Sequence, residues 1–333
     1  MIARPRTGLV LLAAAAACGR PDTAAERVRV TIPRGATLTA VAESLAVRGV
    51  ISSPGRFRLY ARLTGRQGSV PAGTYDLSRN LGARGALAAL LRSRVAEERL
   101  VVPEGLMLSE IAALADSQLG IPADSFRVAA TDTSLATILG VPAGTLEGYL
   151  YPSTYLVPVG STARAVVRQM TAEFVRRWRP VWDRRLESLG LSRHEAVVLA
   201  SIVEGEVRVP VDGPYVASVY HNRLIRGMRL QADPTVIYAL GVRRRLYEKD
   251  YLVRSPHNTY QIDGLPPTPI GQPSEASIRA ALYPARTDFL FFVARPDGRH
   301  VFSRTLREHM QAIAAVRRSG PPSAPARPPA APQ

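Results

Sequence analysis

Hydrophobic and polar positions follow the same order in two separate stretches of the chain. Each stretch begins with a β-branched run, passes through a turn with Pro and Gly, and then shows apolar residues at helical spacing. IPRGATLTAVAESLA (32–46) aligns with VPEGLMLSEIAALAD (102–116), and both continue to a second helix start. This pattern predicts an internal repeat of strand, helix and helix. The run AGTYDL (72–77) is a candidate for the strand that completes a sheet in the first copy.

The chain after the second copy has mainly helical patterns. The aromatic- and proline-rich residues 146–160 predict an irregular segment or a short strand. Glycine and proline recur from Gly227 to Pro273 and favour irregular structure, whereas DFLFFVA (288–294) predicts a strand. The predicted fold class is therefore α+β, with a small β-α-α-β domain followed by an α-rich domain. Helices are predicted near 163–178, 192–207, 216–227 and 276–285.

The N-terminus has the features of an export signal. Arg4 and Arg6 precede the apolar run 8–17, which is shorter than the about 20 residues needed to span a bilayer. LLAAAAACG, ending in Cys18 and Gly19, resembles a bacterial lipobox. This resemblance implies cleavage before Cys18, acylation of its thiol and a membrane-anchored protein that faces the periplasm or extracytoplasmic space. Ordinary signal cleavage and an uncleaved short anchor are the alternatives.

Composition excludes several classes of site. The 333 residues carry a formal charge of +16, but Lys249 is the only lysine among the 43 basic residues, and the arginines are spread along the chain without a polybasic run that has interleaved aromatics. Nucleic acid is therefore not predicted as a partner, although an acidic polymer remains compatible with this charge. Cys18 is the only cysteine, which excludes an internal disulfide and a cysteine zinc site. The five histidines show no HExxH or HxxxH spacing, so neither a metal nor another cofactor is predicted.

A carboxylate at the end of an apolar run is the first candidate for chemistry. VVLASIVEGEV (197–207) is apolar on nearly every face and predicts a buried helix, which begins with a capping box from Ser192 and Glu195. Burial of Glu204 in this run would disfavour its charged form and make it suitable as a general acid. Pairing with an arginine at a helix end is the alternative. Glu206 lies about 200° further around the helix and is predicted to be a supporting or surface group that does not share the site.

Two further polar segments are candidates for substrate binding. Gln231, Asp233 and Thr235 interrupt the apolar context of GMRLQADPTVIYALG, and Asn258 and Tyr260 lie in SPHNTYQIDGLPPTPIGQPS. Turns that are rich in proline are stiff and can hold polar groups in a fixed cleft. The tyrosines near these segments offer faces on which sugar rings stack, but such tyrosines are also ordinary core residues.

Several motifs occur together in a recognisable order. LEGYLYPSTY, LASIVEGE, HNRL, MRLQADPTVIYALG, SPHNTYQIDGLPPTPIGQPSEASIRAALYPA and FFVARPDGRHVFSRTLREH resemble the successive signatures of the endolytic murein transglycosylase (YceG-like) family, over about residues 100–310. The first Glu of the family's SIVE-x-E motif, its catalytic acid, falls on Glu204. The family's LQ-x-DPT and NTY motifs place Gln231, Asp233, Thr235, Asn258 and Tyr260 along a sugar cleft by analogy with other lytic transglycosylases.

The resemblance implies cleavage of the MurNAc–GlcNAc β-1,4 bond within nascent peptidoglycan strands, leaving 1,6-anhydro ends. Glu204 would protonate the leaving oxygen and then take a proton from the C6 hydroxyl of the same sugar, so no cofactor or metal is needed. Peptidoglycan is the implied substrate, and peptidoglycan synthases are implied partners. The alternatives are a hydrolytic muramidase, in which Asp233 or Glu206 activates water, and a non-catalytic peptidoglycan-binding protein.

The first copy of the repeat also resembles a known module. GATLTAVAESLAVRGVI (35–51) is similar to LysM, a small β-α-α-β carbohydrate-binding fold, and this similarity implies glycan binding, whereas a common strand–turn–helix unit without a ligand is the alternative. The predicted organisation is a signal or short anchor (1–18), a linker (19–27), a LysM-like domain (28–97), a lysozyme-like or YceG-like catalytic domain (98–318) and a disordered Pro/Ala-rich tail (319–333).

Overall fold

The computed structural model describes residues 26–33, 35–66, 70–71, 73–92, 97–142 and 144–318. The predicted signal segment, most of the predicted linker and the predicted tail lie outside the described residues. The chain divides into two compact units, Met1–Ala96 and Glu97–Gln333. The structure is a mixed α+β fold, which confirms the predicted class.

The described residues of the first unit form a two-stranded antiparallel sheet and three helices. β1 pairs with β2 along its length, and Val30 lies opposite Tyr75. The side chains of Thr37 and Ser53 accept hydrogen bonds at the N-termini of the first two helices, which explains where those helices begin. A separate hydrophobic core fills the unit. Its elements are β1 Arg27–Ile32, α1 Leu38–Val47, α2 Pro54–Leu63, β2 Gly73–Ser78 and α3 Gly82–Arg92.

The second unit begins with a further copy of the same arrangement. β3 pairs antiparallel with β4, and the fourth and sixth residues of β3 are buried in the same alternation as in β1. The predicted internal repeat is therefore confirmed as a repeat of structure, with two helices between the paired strands of the first copy and three between those of the second. The LysM-like identity of the first copy stays a prediction. The elements of this part are β3 Glu97–Val102, α4 Leu108–Leu119, α5 Ala123–Ala129, α6 Thr133–Leu139 and β4 Ser153–Pro158.

The centre of the remaining part is one helix, α9, whose residues 196–203 are all buried. The predicted capping box is present, because the N–H of Glu195 donates to Ser192 Oγ and the N–H of Ser192 donates to the Glu195 carboxylate. α8, α10, α11 and α12 all contact α9. The elements are α7 Ala163–Arg177, α8 Pro180–Leu189, α9 Arg193–Glu206, α10 Gly213–Ile225, α11 Asp233–Leu240, α12 Glu275–Leu282, β5 Phe291–Ala294, β6 His300–Ser303 and α13 Leu306–Arg318, with 3₁₀ turns at Pro210–Asp212 and Glu248–Leu252.

One segment differs from its predicted structure. The sequence from Gly227 onwards was expected to be irregular, but α11 occupies Asp233–Leu240. Pro234 lies in the first turn, where its missing N–H costs no helical hydrogen bond, and the apolar residues after it continue the helix. Among the described residues, none of the helices combines the length and apolar character needed to traverse a bilayer.

Candidate active site

Glu204 lies in the last turn of α9 and is partly exposed. The expectation that it would be sunk within the apolar run is wrong, because the fully buried stretch ends at Val203 and the helix itself ends at Glu206. At this position the side chain lies beside Gly105 of the turn that follows β3, and its carboxylate contacts Ser274, which precedes α12. Among the described residues no arginine forms an ion pair with Glu204, and Arg179 pairs with Glu275, the residue after Ser274.

Ser274 holds one oxygen of the Glu204 carboxylate. The backbone N–H of Ser274 donates to Oε2 at 2.9 Å, and its hydroxyl donates to the same oxygen at 2.5 Å. Ser274 is also the N-cap of α12, where its Oγ accepts the N–H of Ser277. Within the described ranges the hydrogen bonds of Glu204 all go to Oε2. Its Oε1 is therefore the oxygen available to a substrate.

The turn between β3 and α4, residues 103–106, forms a second wall of this site. A Cβ added to Gly105 would lie 3.5 Å from Cγ of Glu204, so the turn passes directly beside that side chain. The N–H of Gly105 donates to the carbonyl of Gln272 at 2.7 Å, and the N–H of Gln272 donates to the carbonyl of Leu106 at 2.9 Å. Gly271 packs so closely that a Cβ there would meet the Gly105 carbonyl oxygen at 2.9 Å. Only a residue without a side chain allows this approach of two backbones.

Sequence reasoning missed Glu104, which precedes this glycine. Desolvation and then the negative charge of Glu204 raise the pKa of the Glu104 carboxyl. The signal in the sequence was slight. In the alignment of the two repeat copies, Glu104 stands where the first copy has Arg34, so the turn changes charge between the copies.

Three of the predicted substrate-binding residues line a different space, a cavity of about 660 Å³ that also contains Glu206. These residues are Gln231, Asp233 and Tyr260. The Tyr260 hydroxyl donates to Asp233 Oδ1 at 2.7 Å. Gln231 is exposed and has a φ of +50°, a left-handed conformation that is costly for a residue other than glycine. The buried guanidinium of Arg223 supplies positive charge to the same cavity.

Glu206 belongs to this cavity and not to the site of Glu204. The Tyr220 hydroxyl donates to Glu206 Oε1 at 2.9 Å. Burial raises the pKa of Glu206 to about 7 against the opposing effect of the Tyr220 hydrogen bond, and the charge of Asp233 raises it further. Between the two glutamates, Pro234 packs where a Cβ on Gly205 would lie, 2.6 Å from Pro234 Cβ. The prediction that Glu204 and Glu206 do not share one site is confirmed, and Glu206 is a supporting group of the cavity wall.

The similarity of the chain to known proteins extends over most of its length. The model of the YceG-like family matches residues 30–315. The chain belongs to the YceG-like family. A protein named endolytic murein transglycosylase from Bacillus subtilis (strain 168) is 32% identical over 304 residues, which cover 86% of this chain and 83% of that protein.

A second relative and a solved structure extend this similarity. A protein of the same name from Streptococcus pneumoniae serotype 2 is 28% identical over 320 residues, and the match spans 58% of its length. A crystal structure of a YceG-like protein from Listeria monocytogenes superimposes with a TM-score of 0.60 at 32% identity. This match covers 86% of the present chain and 98% of the crystallised one.

In this YceG-like chain, two of the predicted substrate-binding residues lie inside the protein. Thr235 and Asn258 are both fully buried. The Thr235 hydroxyl donates to the carbonyl of Ala232 at 2.6 Å. The Asn258 amide donates to the carbonyls of Tyr251 at 3.0 Å and Val253 at 2.8 Å. Since neither side chain reaches solvent, we correct their predicted role from substrate contact to holding the segments that carry Asp233 and Tyr260.

Glu147 is a second residue that sequence reasoning did not single out. It is buried, and its two oxygens accept the N–H of Leu108 at 3.0 and 3.1 Å. The side-chain amide of Gln272 donates to it at 2.6 Å, and the Tyr238 hydroxyl at 3.3 Å. Burial raises its pKa to about 8. Glu147 thereby ties the segment of Gln272, which fastens the 103–106 turn, to α4 and α11. Glu147 is the second residue of LEGYLYPSTY, a motif that contributed only to the family resemblance.

In the portion of the chain that the structure describes, no group of three or more His, Cys, Asp and Glu side chains is placed to hold a metal ion.

Proposed function

We propose that this protein is an endolytic murein transglycosylase, with Glu204 as its catalytic acid. The observation that carries the proposal is the placement of Glu204: a carboxylate at the open end of a buried helix, with Oε2 held by Ser274 and Oε1 left for a substrate. The names of the Bacillus and Streptococcus relatives support peptidoglycan as the substrate.

The proposed reaction uses Glu204 twice. Its carboxylic acid gives a proton to the oxygen that links MurNAc to GlcNAc, the bond from this oxygen to C1 of MurNAc breaks, and C1 gains oxocarbenium character. The carboxylate then takes the proton of the C6 hydroxyl of the same MurNAc, whose oxygen bonds to C1 and closes the 1,6-anhydro ring. The two hydrogen bonds from Ser274 to Oε2 stabilise the negative charge that Glu204 carries between these steps.

The geometry gives little support to the hydrolytic alternative with Asp233 or Glu206 as the base. Both residues line the cavity beyond the contact between Gly205 and Pro234, whereas Glu204 is absent from its lining. A base that activates water in hydrolysis has to act on the same sugar carbon as the acid. We propose that this cavity instead binds a more distant part of the substrate, with Tyr260 and Gln231 as contact residues.

The location and partners of the protein are proposed from the sequence. The apolar run 8–17 and Cys18 support anchoring in the cell membrane, through acylated Cys18 or a short N-terminal segment, with the folded part in the periplasm or extracytoplasmic space. Fatty-acid labelling that disappears in Cys18→Ser is the expected result, and equal labelling of both proteins would contradict lipidation. Glycan binding by the first unit and assembly with peptidoglycan synthases are further proposals from the resemblance.

Product mass spectrometry tests the activity. Purified protein is incubated with uncrosslinked glycan strands, and wild type is expected to release fragments with 1,6-anhydro-MurNAc ends, which lack the water that hydrolysis adds. Glu204→Gln is expected to abolish release with an unchanged circular dichroism spectrum, since the amide cannot donate a proton as the acid does. Glu187→Gln, an exposed carboxylate of α8, is the matched control and should retain activity. Near-normal release by Glu204→Gln would refute the assignment.

A further inference from the structure

The 660 Å³ cavity contains a buried polar atom that has no hydrogen-bond partner among the described residues. This atom is Nδ1 of His309, a residue of α13 that lines the cavity. Nearly all buried polar groups in native proteins have a partner, so an exception inside a cavity indicates a group that is bound there. Burial and then the positive charge of Arg223 lower the pKa of His309. Its imidazole is therefore neutral at pH 7 and has one N–H to donate.

Arg223 is a second group of this cavity that lacks an expected partner. Only 8% of this residue is exposed, and it is the only buried arginine in the part of the chain that the structure describes. Its Nε donates to the carbonyl of Leu290, and its Nη1 donates to the carbonyls of Arg229 and Leu230. Within the described ranges its Nη2 makes no hydrogen bond, and no carboxylate forms an ion pair with it. Since a buried arginine is rarely left without an anion, this free edge of the guanidinium predicts an anionic ligand.

The two carboxylates of the cavity wall already have hydrogen-bond donors. Glu206 accepts the Tyr220 hydroxyl at 2.9 Å, and Asp233 accepts the Tyr260 hydroxyl at 2.7 Å. The groups of the cavity that still lack a partner are therefore a guanidinium and a neutral imidazole. A carboxylate fits both of them, because its two oxygens accept hydrogen bonds and its charge matches that of the guanidinium.

The remaining lining of the cavity near these two groups is apolar. The ring of Phe291 stacks on that of His309 with a centroid distance of 5.2 Å, and Cζ of Arg223 lies 5.3 Å from the Phe291 centroid. Leu306 and Met310 of α13 also line the cavity and are 60% and 58% exposed. A ligand that fits this space combines a carboxylate with small apolar groups.

The cavity begins beside the proposed catalytic acid. Gly205, the residue after Glu204, belongs to its lining. In peptidoglycan a stem peptide branches from MurNAc, and this peptide is built from alanines and from residues with free carboxylates. The MurNAc that reacts at Glu204 therefore carries a branch with the chemical groups that the cavity fits.

We propose that this cavity binds the stem peptide of the reacting MurNAc. A carboxylate of the peptide accepts hydrogen bonds from Arg223 and His309, and alanine methyl groups pack against Phe291 and Met310. This inference rests on the proposed function and deepens it, because it names the part of the substrate that the cavity recognises. The protein then acts preferentially on strands that still carry their stem peptides.

Two forms of the glycan strand test this preference. Wild type is incubated with uncrosslinked strands that carry stem peptides and with the same strands after an amidase has removed the peptides. The kcat/KM for release of anhydro ends should be about ten- to hundredfold higher for the strands with peptides, mainly through KM, which is the effect expected of hydrogen bonds to a charged group. Arg184→Gln, which changes an exposed arginine of α8 outside the cavity, is the control and should keep this preference.

His309→Phe distinguishes a binding role from a structural one. The new ring can still stack on Phe291, but it has no N–H for a carboxylate. The preference for strands with peptides should fall by about fivefold or more. The urea midpoint of unfolding should stay the same or rise, because the substitution removes a buried nitrogen that has no partner in the free protein. A variant that unfolds at lower urea and keeps the preference would assign His309 a structural role and overturn the inference.

Binding of a free peptide supplies a readout that does not depend on catalysis. The probe is N-acetyl-L-Ala-γ-D-Glu-L-Lys-D-Ala-D-Ala, titrated into the full chain with isotope-labelled histidine rings. The NMR signals of His309, assigned by their loss in His309→Phe, should shift and saturate. The same peptide with its carboxyl groups converted to amides should leave them unchanged, since an amide carries no charge for Arg223. Equal shifts with both peptides, or no shift with either, would overturn the inference.

The failure of this inference and the failure of the proposed function give different results. Wild type that releases no anhydro ends from either strand contradicts the function, while the peptide titration still reports on the cavity. Release of anhydro ends at equal kcat/KM from both strands contradicts only the binding of the stem peptide.

Discussion

Glu206 provides a pH-dependent stability that a single substitution should remove. Its carboxyl accepts the Tyr220 hydroxyl at 2.9 Å inside the wall of the 660 Å³ cavity. Burial raises its pKa from 4.5 to about 7 in the folded protein, because the charged form loses hydration there. Glu206→Gln preserves the shape of the side chain and an oxygen that accepts from Tyr220, but it cannot ionise.

The sign of the effect follows from the raised pKa. The folded protein holds the Glu206 proton more tightly than the unfolded chain does, so this residue's stabilising contribution is fully present below pH 4.5 and is lost as the pH rises through about 7. One pH unit corresponds to about 1.4 kcal/mol, so between pH 5 and pH 8 the free energy of unfolding of wild type should fall by about 2 to 3 kcal/mol relative to Glu206→Gln.

Urea denaturation of the full chain at pH 5, 6, 7 and 8 measures this difference. The free energy of unfolding of the second unit is compared between wild type and Glu206→Gln at each pH, so that groups common to both proteins cancel. Glu187→Gln, which removes an exposed carboxylate, should show a difference that does not depend on pH. A wild-type minus Glu206→Gln difference that stays constant within about 0.5 kcal/mol would refute the reasoning about burial.

Three other substitutions test the supports of the site by urea denaturation. Gly271→Ala places a Cβ 2.9 Å from the Gly105 carbonyl oxygen, and it should lower the free energy of unfolding by about 1 to 3 kcal/mol and remove most of the transglycosylase activity. Gly144→Ala, whose added Cβ meets open space, is the control and should leave stability unchanged. Equal stability of the two variants would contradict the close approach of the two backbones. Glu147→Ala leaves buried donors without an acceptor and should cost about 2 to 4 kcal/mol, and a loss below 1 kcal/mol would argue against its linking role. Asn258→Ala should destabilise by about 2 kcal/mol while KM per folded molecule stays unchanged, and a raised KM at wild-type stability would return Asn258 to the substrate-binding residues.

Local patterns predicted much of this molecule because their physical causes are local. The capping box of Ser192 and Glu195 depends on hydrogen bonds within one helical turn. The repeat could be predicted because each copy has its own β-branched run, turn glycine and apolar residues at helical spacing. The helix α11 was missed because prolines and polar residues outweighed a short apolar run, although Pro234 lies where a helix tolerates proline.

The candidate site was only partly predictable. An apolar run and a family motif together predicted Glu204 as the catalytic acid. The angle between successive residues of a helix predicted that Glu206 lies outside the site of Glu204. Thr235 and Asn258 belong to motifs of the same family resemblance, but a motif does not state whether a side chain faces solvent or the interior. The structure buries both of them and leaves Gln231 exposed.

The sequence by itself determined the fold class, the internal repeat, the helix that ends beside Glu204 and the family to which the chain belongs. The tertiary structure alone decided what surrounds that carboxylate. Ser274 lies 70 positions after Glu204 in the chain, and Gly105 lies 99 positions before it. Such contacts arise when helices pack around a shared core, and periodicity along the chain specifies which face is buried but not which loop meets its end.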